Sequence, residues 1–480
     1  MSAARAGGAV VKDVDRKGRD MSSQQRRTTR VPRALGLIAA AASITLLAVG
    51  CSSGGGGGGD ANSPYGFKAA KQIKNSALTI LVDADRTPIA KAFQADHPEI
   101  KVNIETYDGN SGGTNSFQTK ISLADKAGSG WPDVVWSGQV NDASWAAVGK
   151  NGAQAFATPL DQGVISKKWL DGYTKGAEDP VTVGGHIYGV RDNLAPVVFW
   201  YNKTLFTQFG YTVPETWEDY QALGDKLAAE HPGYTLGSIG DSFTAVLTNM
   251  WSAQAPIYTV KGTTFKSDFS DSHSTKMIAL MDHMLANHSL NTVGLFTPDF
   301  PKQDKGKLLG IPGPTWFTGA LFNNPTSLAG VAGEWGAGTP LHWAGEPIGT
   351  GNVGGGFWYG SSHSTNLKAE AAFLQYAVAG PQSVKLITGL PAYASTASAW
   401  LDAQVSGGFW ADSDKFKDVV NTAATNIWPG WGATLSFSSE PGWNTIVAPA
   451  LAKGQTIASV VDAWQKQYEN QAQVNGYTVK

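Results

Sequence analysis

Cysteine occurs once in 480 residues, at Cys51. One thiol excludes an intrachain disulfide framework and a cysteine-built zinc site. Charge is also scarce: Asp, Glu, Lys and Arg make up 16% of the chain, against about a quarter in ordinary domains. The formal net charge is -2, so no basic surplus is available for nucleic acid and no such partner is expected. The 8 histidines form no H-E-x-x-H pattern. Neither a cofactor nor a metal is expected. In contrast, glycine (57) and tryptophan (17) are plentiful. Large aromatic faces are costly to leave in water without a use, so the tryptophan surplus asks for one. Length predicts two or three folding units, and 42% hydrophobic residues are enough to fill their cores.

The lone cysteine has a context. Arg26, Arg27, Arg30 and Arg33 precede an uncharged stretch from Ala34 to Gly50, apolar at Leu35, Leu37, Ile38, Ile44, Leu46, Leu47 and Val49. This reads as the basic and apolar regions of an export signal. At roughly 17 residues the stretch reaches only the short edge of a spanning helix. It ends in Leu47-Ala48-Val49-Gly50-Cys51, which resembles a bacterial lipobox, with Ala48 where leucine is commoner. Cleavage before Cys51 and lipidation of its thiol are the expectation; an ordinary signal anchor with an incidental thiol is the competing reading. Met21 suits the start of such a signal better than Met1. Arg26-Arg27 points only weakly to twin-arginine export. Ser52-Ser53 and Gly54–Gly59 then form a tether that cannot bury a core. The glycine run satisfies G-x-G-x-x-G without the flanking strand and helix that a dinucleotide site requires.

Beyond the tether the pattern changes. Leu78–Val82 reads as a buried strand. Thr87-Pro88 reads as N-cap and first helical residue, with Ile89, Ala92 and Phe93 on one face and a stop at His97-Pro98. Ile100, Val102 and Ile104 alternate as a second strand. Phe117, Ile121 and Leu123 mark a helix, and Pro132–Trp136 a third strand. That order predicts a parallel α/β domain, whose ligands bind beyond the carboxyl ends of the strands. Those ends are Asp83–Arg86 and Trp136–Gln139. Gly184-Gly185 predicts a hairpin, with His186 and Tyr188 as turn and strand residues. Thr216 and Asp219 predict a capping box on a helix striped by Trp217, Tyr220, Leu223 and Leu227. Amphipathic helices are expected over Ala369–Val378 and Val460–Tyr468.

One catalytic signal is present only in form. Gly109–Gly113 matches G-x-S-x-G, but Gly112-Gly113-Thr114-Asn115 is a poor start for the helix that a nucleophile elbow needs. A pair of glycosidase carboxylates cannot be read from spacing; Glu334 and Glu440 are the nearest candidates.

Four stretches carry a resemblance: FQADHPEIKV, GSGWPDVVW, GGHIYGVRDNLAPVVFWYNKTLFTQFGYTVPETWEDY, and GPTW at Gly313–Trp316 followed by NVGGGFWYGSS. Over residues 77–470 the chain resembles the extracellular sugar-binding proteins of ABC importers, the group that includes the maltose-binding protein. It departs from them at Arg191, where proline is frequent, and between Ser238 and Thr264, which offers few anchors. The resemblance implies an α/β fold of the two-lobed periplasmic-binding-protein type II kind, with a hinge and an interlobe cleft. Residues 1–50 would be extension and signal, and 51–75 tether. Lobe 1 would comprise 76–192 with 357–391, and lobe 2 would comprise 193–356 with 392–480. Crossings are implied near 192–196, 354–359 and 391–394. The implied protein is not an enzyme. It is a lipid-anchored monomer on the outer face of the cytoplasmic membrane, which captures a carbohydrate and delivers it to ABC permease subunits.

A sugar offers hydroxyl rims and an apolar C–H face, so its site needs aromatic platforms and fixed polar partners. The candidates at strand ends are Asp83, Asp85, Arg86, Trp136, Ser137 and Gln139. Asp192 and Asn193 stand at the first crossing. Trp316, Phe357, Trp358, Trp428, Trp431 and Trp443 supply rings. Phe357 and Trp358 adjoin on a strand, so only one can face a cleft. Trp251 and Trp343 fit site or core, and Trp217 fits core. Asp83, Asp85 and Asp192 leave a polyamine receptor open, alongside a peptide receptor. A surface glycosidase, a lectin-like adhesin and a purely structural lipoprotein are the readings from other classes.

Overall fold

A computed structural model describes residues 64–480 except 110–115, 150–153, 241–242 and 432–434. All of these lie in the compact unit Gly56–Lys480. Cys51, the signal stretch and most of the tether lie outside the described residues.

The first sheet follows the strand–helix alternation. Leu78–Val82 pairs in parallel with Val102–Thr106 on one side and Val134–Ser137 on the other, with helices Thr87–Asp96 and Ser116–Ala127 between them. Phe357–Gly360 then adds antiparallel to Val134–Ser137 and carries Val190–Arg191 at its far edge. Thr87 is the first helical residue rather than the N-cap, because Arg86 takes that position. The Asp83 side chain accepts the Arg86 amide at 2.8 Å, so the turn closes one residue early. Leu123 is exposed, since the buried stripe of its helix is Phe117, Ile121 and Ala124, spaced four and three apart.

The second sheet is antiparallel. Val197–Asn202 lies between Gly310–Pro314 and Trp335–Gly338. All six residues of Val197–Asn202 are buried, because Val198 and Trp200 enter one apolar cluster while Val197, Phe199 and Tyr201 enter another. A strand covered on both faces reads as an unbroken apolar run, here Val-Val-Phe-Trp-Tyr. The helix Trp217–Glu230 has the expected capping box, with Thr216 and Asp219 bonded reciprocally, and its stripe is buried. The strands Thr182–Val183 and His186–Ile187 pair around Gly184 and Gly185 at φ +59° and +87°. Two successive positive φ angles are the geometry of a two-residue hairpin turn, which glycine adopts without strain. Among the described residues no helix is long and apolar enough to cross a membrane.

Between the sheets the chain passes three times through one small region. Asn193–Leu194 pairs with Leu390–Pro391, and Pro196 bridges to Asn352. Asn193 ties all three passages together. Its amide donates to the Thr388 carbonyl at 2.6 Å, and its side-chain oxygen accepts the Gly356 amide at 2.9 Å. Asn352 accepts the Ala195 amide at 2.7 Å. Both asparagines are buried, so these bonds replace water that cannot reach the backbone there.

Candidate functional site

A cavity of about 160 Å³ lies where the two halves meet. Its first wall begins at the carboxyl end of Val134–Ser137, where the chain turns through Gly138 and Gln139 into the short helix Asn141–Ala146. Ser137 builds this turn. Its hydroxyl donates to Asp142 at 2.6 Å and accepts the Gln139 amide at 3.1 Å, while Gln118 also donates to Asp142. The turn presents Gln139 and Asn141 on the wall. Asn141 is only 6% exposed, and its Nδ2 has no hydrogen-bond partner among the described residues. A buried donor left in that state favours an acceptor from outside the chain.

The opposite wall comes from the helix Phe243–Ser252, which places Thr244, Leu247 and Trp251 along one face, and from Tyr258. The segment Phe437–Glu440 completes it, and Val353-Gly354 of the second crossing is the floor. Burial pushes the Tyr258 hydroxyl up to about 12, with a bond from Ser439 opposing, so it stays a neutral phenol. The Glu440 carboxylate accepts the Asn444 amide at 3.3 Å. Trp431 also lines the cavity. It is half-buried, with the Trp251 ring edge-on at 6.1 Å and 69° and the Arg191 guanidinium 5.0 Å from its centroid. The result is a set of aromatic faces interleaved with amide and hydroxyl groups.

Of the residues singled out in the sequence as ligand contacts, Gln139 and Trp431 line this cavity, and so does Trp251, which fitted site or core. Trp316 adjoins it: the half-buried indole donates to the Val353 carbonyl at 2.8 Å, and a methyl on Gly354 would lie 3.1 Å from its nitrogen. The exposed Phe296 sits 5.6 Å away from that ring.

The other candidates lie off the wall. Phe357 and Trp358 point to opposite faces as alternation requires, but both faces are covered, and each ring is buried in a separate cluster. Trp443 is buried with its N–H on the Gly240 carbonyl, and Trp428 packs against the second core. Asn193 serves the crossings.

Asp83, Arg86, Trp136 and Asp192 form a charged knot beneath the strand ends. Arg86 lies 3.1 Å from Asp83 and 3.9 Å from Asp192, and its guanidinium stacks 3.8 Å from the Trp136 centroid. Asp85 is exposed, 3.7 Å from the same guanidinium. Burial raises both the Asp83 and Asp192 carboxyls, and Arg86 is the chief opposing influence. The Trp136 and Trp358 indole N–H groups help hold Asp192 charged, although neither reaches it with ordinary hydrogen-bond geometry. Trp136 is pinned further by the Tyr107 hydroxyl on its carbonyl and by Gly356, where a methyl would fall 2.3 Å from the indole nitrogen.

Asn141, Thr244, Tyr258, Ser438 and Ser439 were not visible as site residues in the sequence. The one available signal was the three-and-four spacing of Thr244, Leu247 and Trp251. Glu440 entered only as a possible hydrolytic carboxylate. Its suggested counterpart Glu334 is held by Asn202 and Val331 and is absent from the cavity wall. Glu440 is the one acidic residue on that wall among the described residues, whereas glycoside hydrolysis uses two carboxyl groups across the bond. No cluster of His, Asp, Glu or Cys that could hold a metal occurs among the described residues.

Comparison with known proteins gives the same architecture. The ABC transporter associated binding protein from B. animalis subsp. lactis Bl-04, in complex with beta-1,6-galactobiose, superposes with a TM-score of 0.69 at 20% identity, covering 84% of this chain and 99% of that one. The galacto-N-biose-/lacto-N-biose I-binding protein of Bifidobacterium longum gives 0.69 at 21% identity, covering 85% and 100%. The cyclic alpha-maltosyl-1,6-maltose binding protein of Arthrobacter globiformis gives 0.61 at 17%, covering 82% and 97%. An uncharacterized ABC transporter extracellular-binding protein of Pyrococcus horikoshii is 29% identical over 141 residues, which span 29% of this chain and 30% of that relative. The family described as bacterial extracellular solute-binding protein matches residues 78–480, and the chain belongs to it.

Proposed function

We propose that this protein captures a neutral carbohydrate in the cavity between its lobes and releases it intact to an ABC permease, acting as a monomeric receptor rather than an enzyme. The observation that carries this reading is the convergence of Trp431, Trp251 and Tyr258 with the uncharged polar groups of Gln139, Asn141, Ser438 and Ser439 around one cavity. Rings suit the C–H face of a pyranose, and the amides and hydroxyls suit its rim. Trp316 offers a further half-exposed ring beside Gly354. Structural relatives named for galactobiose, lacto-N-biose and maltosyl-maltose favour a saccharide of two or more units. Lobe 1 is read as 76–192 with 357–391, and lobe 2 as 193–356 with 392–480. Closure about the three crossings would bring both walls onto the ligand.

A thermal-shift panel of mono-, di- and oligosaccharides tests this. At least one is expected to raise the melting temperature, by an amount that grows with the logarithm of its concentration relative to its Kd, and to be recovered unhydrolysed. A panel with no shift, beside a clear shift from spermidine or a peptide, would transfer the reading to those solutes. Recovered cleavage products would make the protein a glycosidase.

The reading includes a lipid anchor at Cys51. Mass spectrometry of the mature N-terminal peptide from membranes is expected to show a diacylglyceryl cysteine at its start. An unmodified Cys51 within a longer peptide would refute the anchor and leave the cavity reading intact.

A further inference from the structure

Arg191 is the departure from the family pattern in the most specific stretch of the sequence, and it is buried at the meeting point of the crossings, 1% exposed. Its hydrogen bonds run to carbonyl oxygens rather than to a carboxylate. Nε donates to Asn193 of the first crossing at 3.0 Å. Nη1 reaches Ala177 at 3.4 Å, and Nη2 reaches Gly354 of the cavity floor at 3.4 Å. The guanidinium carbon lies 5.6 Å from the Phe357 ring and 5.0 Å from the Trp431 ring. Burial pulls its pKa down to about 9, with Asp179 opposing, so it remains a cation at neutral pH.

These contacts have a shared consequence. Ala177 and Phe357 belong to the first half of the molecule, and Asn193 and Gly354 to the crossings. Trp431 packs on the second core and borders the cavity. One rigid planar group therefore touches both halves, the crossings and a ring that lines the site. A cation over an aromatic face is strongest when water is excluded, as it is here. Arginine's planar fork can satisfy several carbonyls while stacking, which a lysine ammonium cannot do.

We infer that Arg191 is a positioning residue for ligand capture: it fixes the tilt of Trp431 and couples that ring to the crossings, so that opening of the lobes draws the platform off the site. This inference rests on the cavity being the ligand site, but its test needs no ligand. The mature protein is labelled with 5-fluorotryptophan, and the Trp431 resonance is identified by its loss in Trp431→Phe. In Arg191→Met the Trp431 and Trp251 resonances are expected to move or broaden, while those of Trp443 and Trp464, a packed pair in the same second core, stay in place. Small-angle scattering is expected to show a larger radius of gyration. Arg191→Lys, which keeps charge but loses the fork, is expected to restore the Trp431 resonance only in part.

A purely structural arginine would disturb the second core as a whole or leave Trp431 untouched. An unmoved Trp431 resonance in a folded Arg191→Met protein overturns the inference. Should Arg191→Met fail to fold, Trp431→Leu gives the reciprocal measurement. The Arg191 Nε–H resonance is then expected to shift, and its constancy overturns the coupling. Saccharide binding by the unaltered protein is read separately in the thermal panel, so loss of the sugar reading and loss of this coupling are distinguishable.

Discussion

Trp431→Ala is expected to weaken carbohydrate binding about 30-fold or more while leaving a single cooperative unfolding transition. The ring is half-buried and held on two sides before any ligand arrives, by Trp251 edge-on and by Arg191 over its face. Little side-chain freedom is left to lose on binding, which is the condition under which a contact contributes most to affinity. Truncating such an aromatic anchor typically costs about 2 kcal/mol or more, and about 1.4 kcal/mol is a factor of ten. Trp443→Phe is the matched control. That indole is buried and bonded to Gly240, so its replacement should lower stability and leave affinity nearly unchanged. Titration calorimetry with a saccharide that shifts the melting point would decide the matter. Wild-type affinity in Trp431→Ala would remove this ring from the site.

The second large effect concerns stability and its pH dependence. Arg86→Met is expected to cost about 3–5 kcal/mol at neutral pH, the range for leaving buried charges without their partner. Arg86 is the chief group that opposes the burial-driven rise of both Asp83 and Asp192. Without it, burial and mutual repulsion push both carboxyls further above the ordinary value of 3.8. A carboxyl whose native pKa exceeds its unfolded one binds more protons when folded. Its contribution therefore favours folding in acid and is lost as pH rises through the native pKa. The deficit of Arg86→Met should thus be small below about pH 4 and grow toward pH 7. Urea unfolding of both proteins at those two pH values measures it. An equal deficit at both would show that Arg86 acts through packing on Trp136 instead.

Much of the scaffold was legible because local rules govern it. The capping box at Thr216 and Asp219, the glycine hairpin at Gly184-Gly185 and the alternation that opens the chain each depend on residues close in sequence. The candidate site was legible only in part. Gln139 and Trp431 were visible because one follows a strand end and the other lies in a Pro/Gly-rich segment, where a ring can project. Trp136, Trp358 and Trp443 carry comparable local cues, yet their surroundings are supplied by segments hundreds of residues away. Tyr258 reaches the wall from a stretch that offers few anchors, and Ser438 and Ser439 from a segment in which only the tryptophans and Glu440 stood out. The only hint at Thr244 was its helical spacing to Trp251.

The amino-acid order alone carried the alternation of strands and helices, the tryptophan surplus, the lack of a metal-binding pattern and the expectation of an export-type leader. Those features depend on periodicity, capping and composition, which act within a few residues. Tertiary structure decided which tryptophans face a cavity and which fill cores. It also decided that Asp83 and Asp192 share one arginine and that Arg191 sits behind Trp431. Those outcomes depend on three passages of backbone meeting between two sheets, and the burial of a side chain there is set by which distant segment covers it.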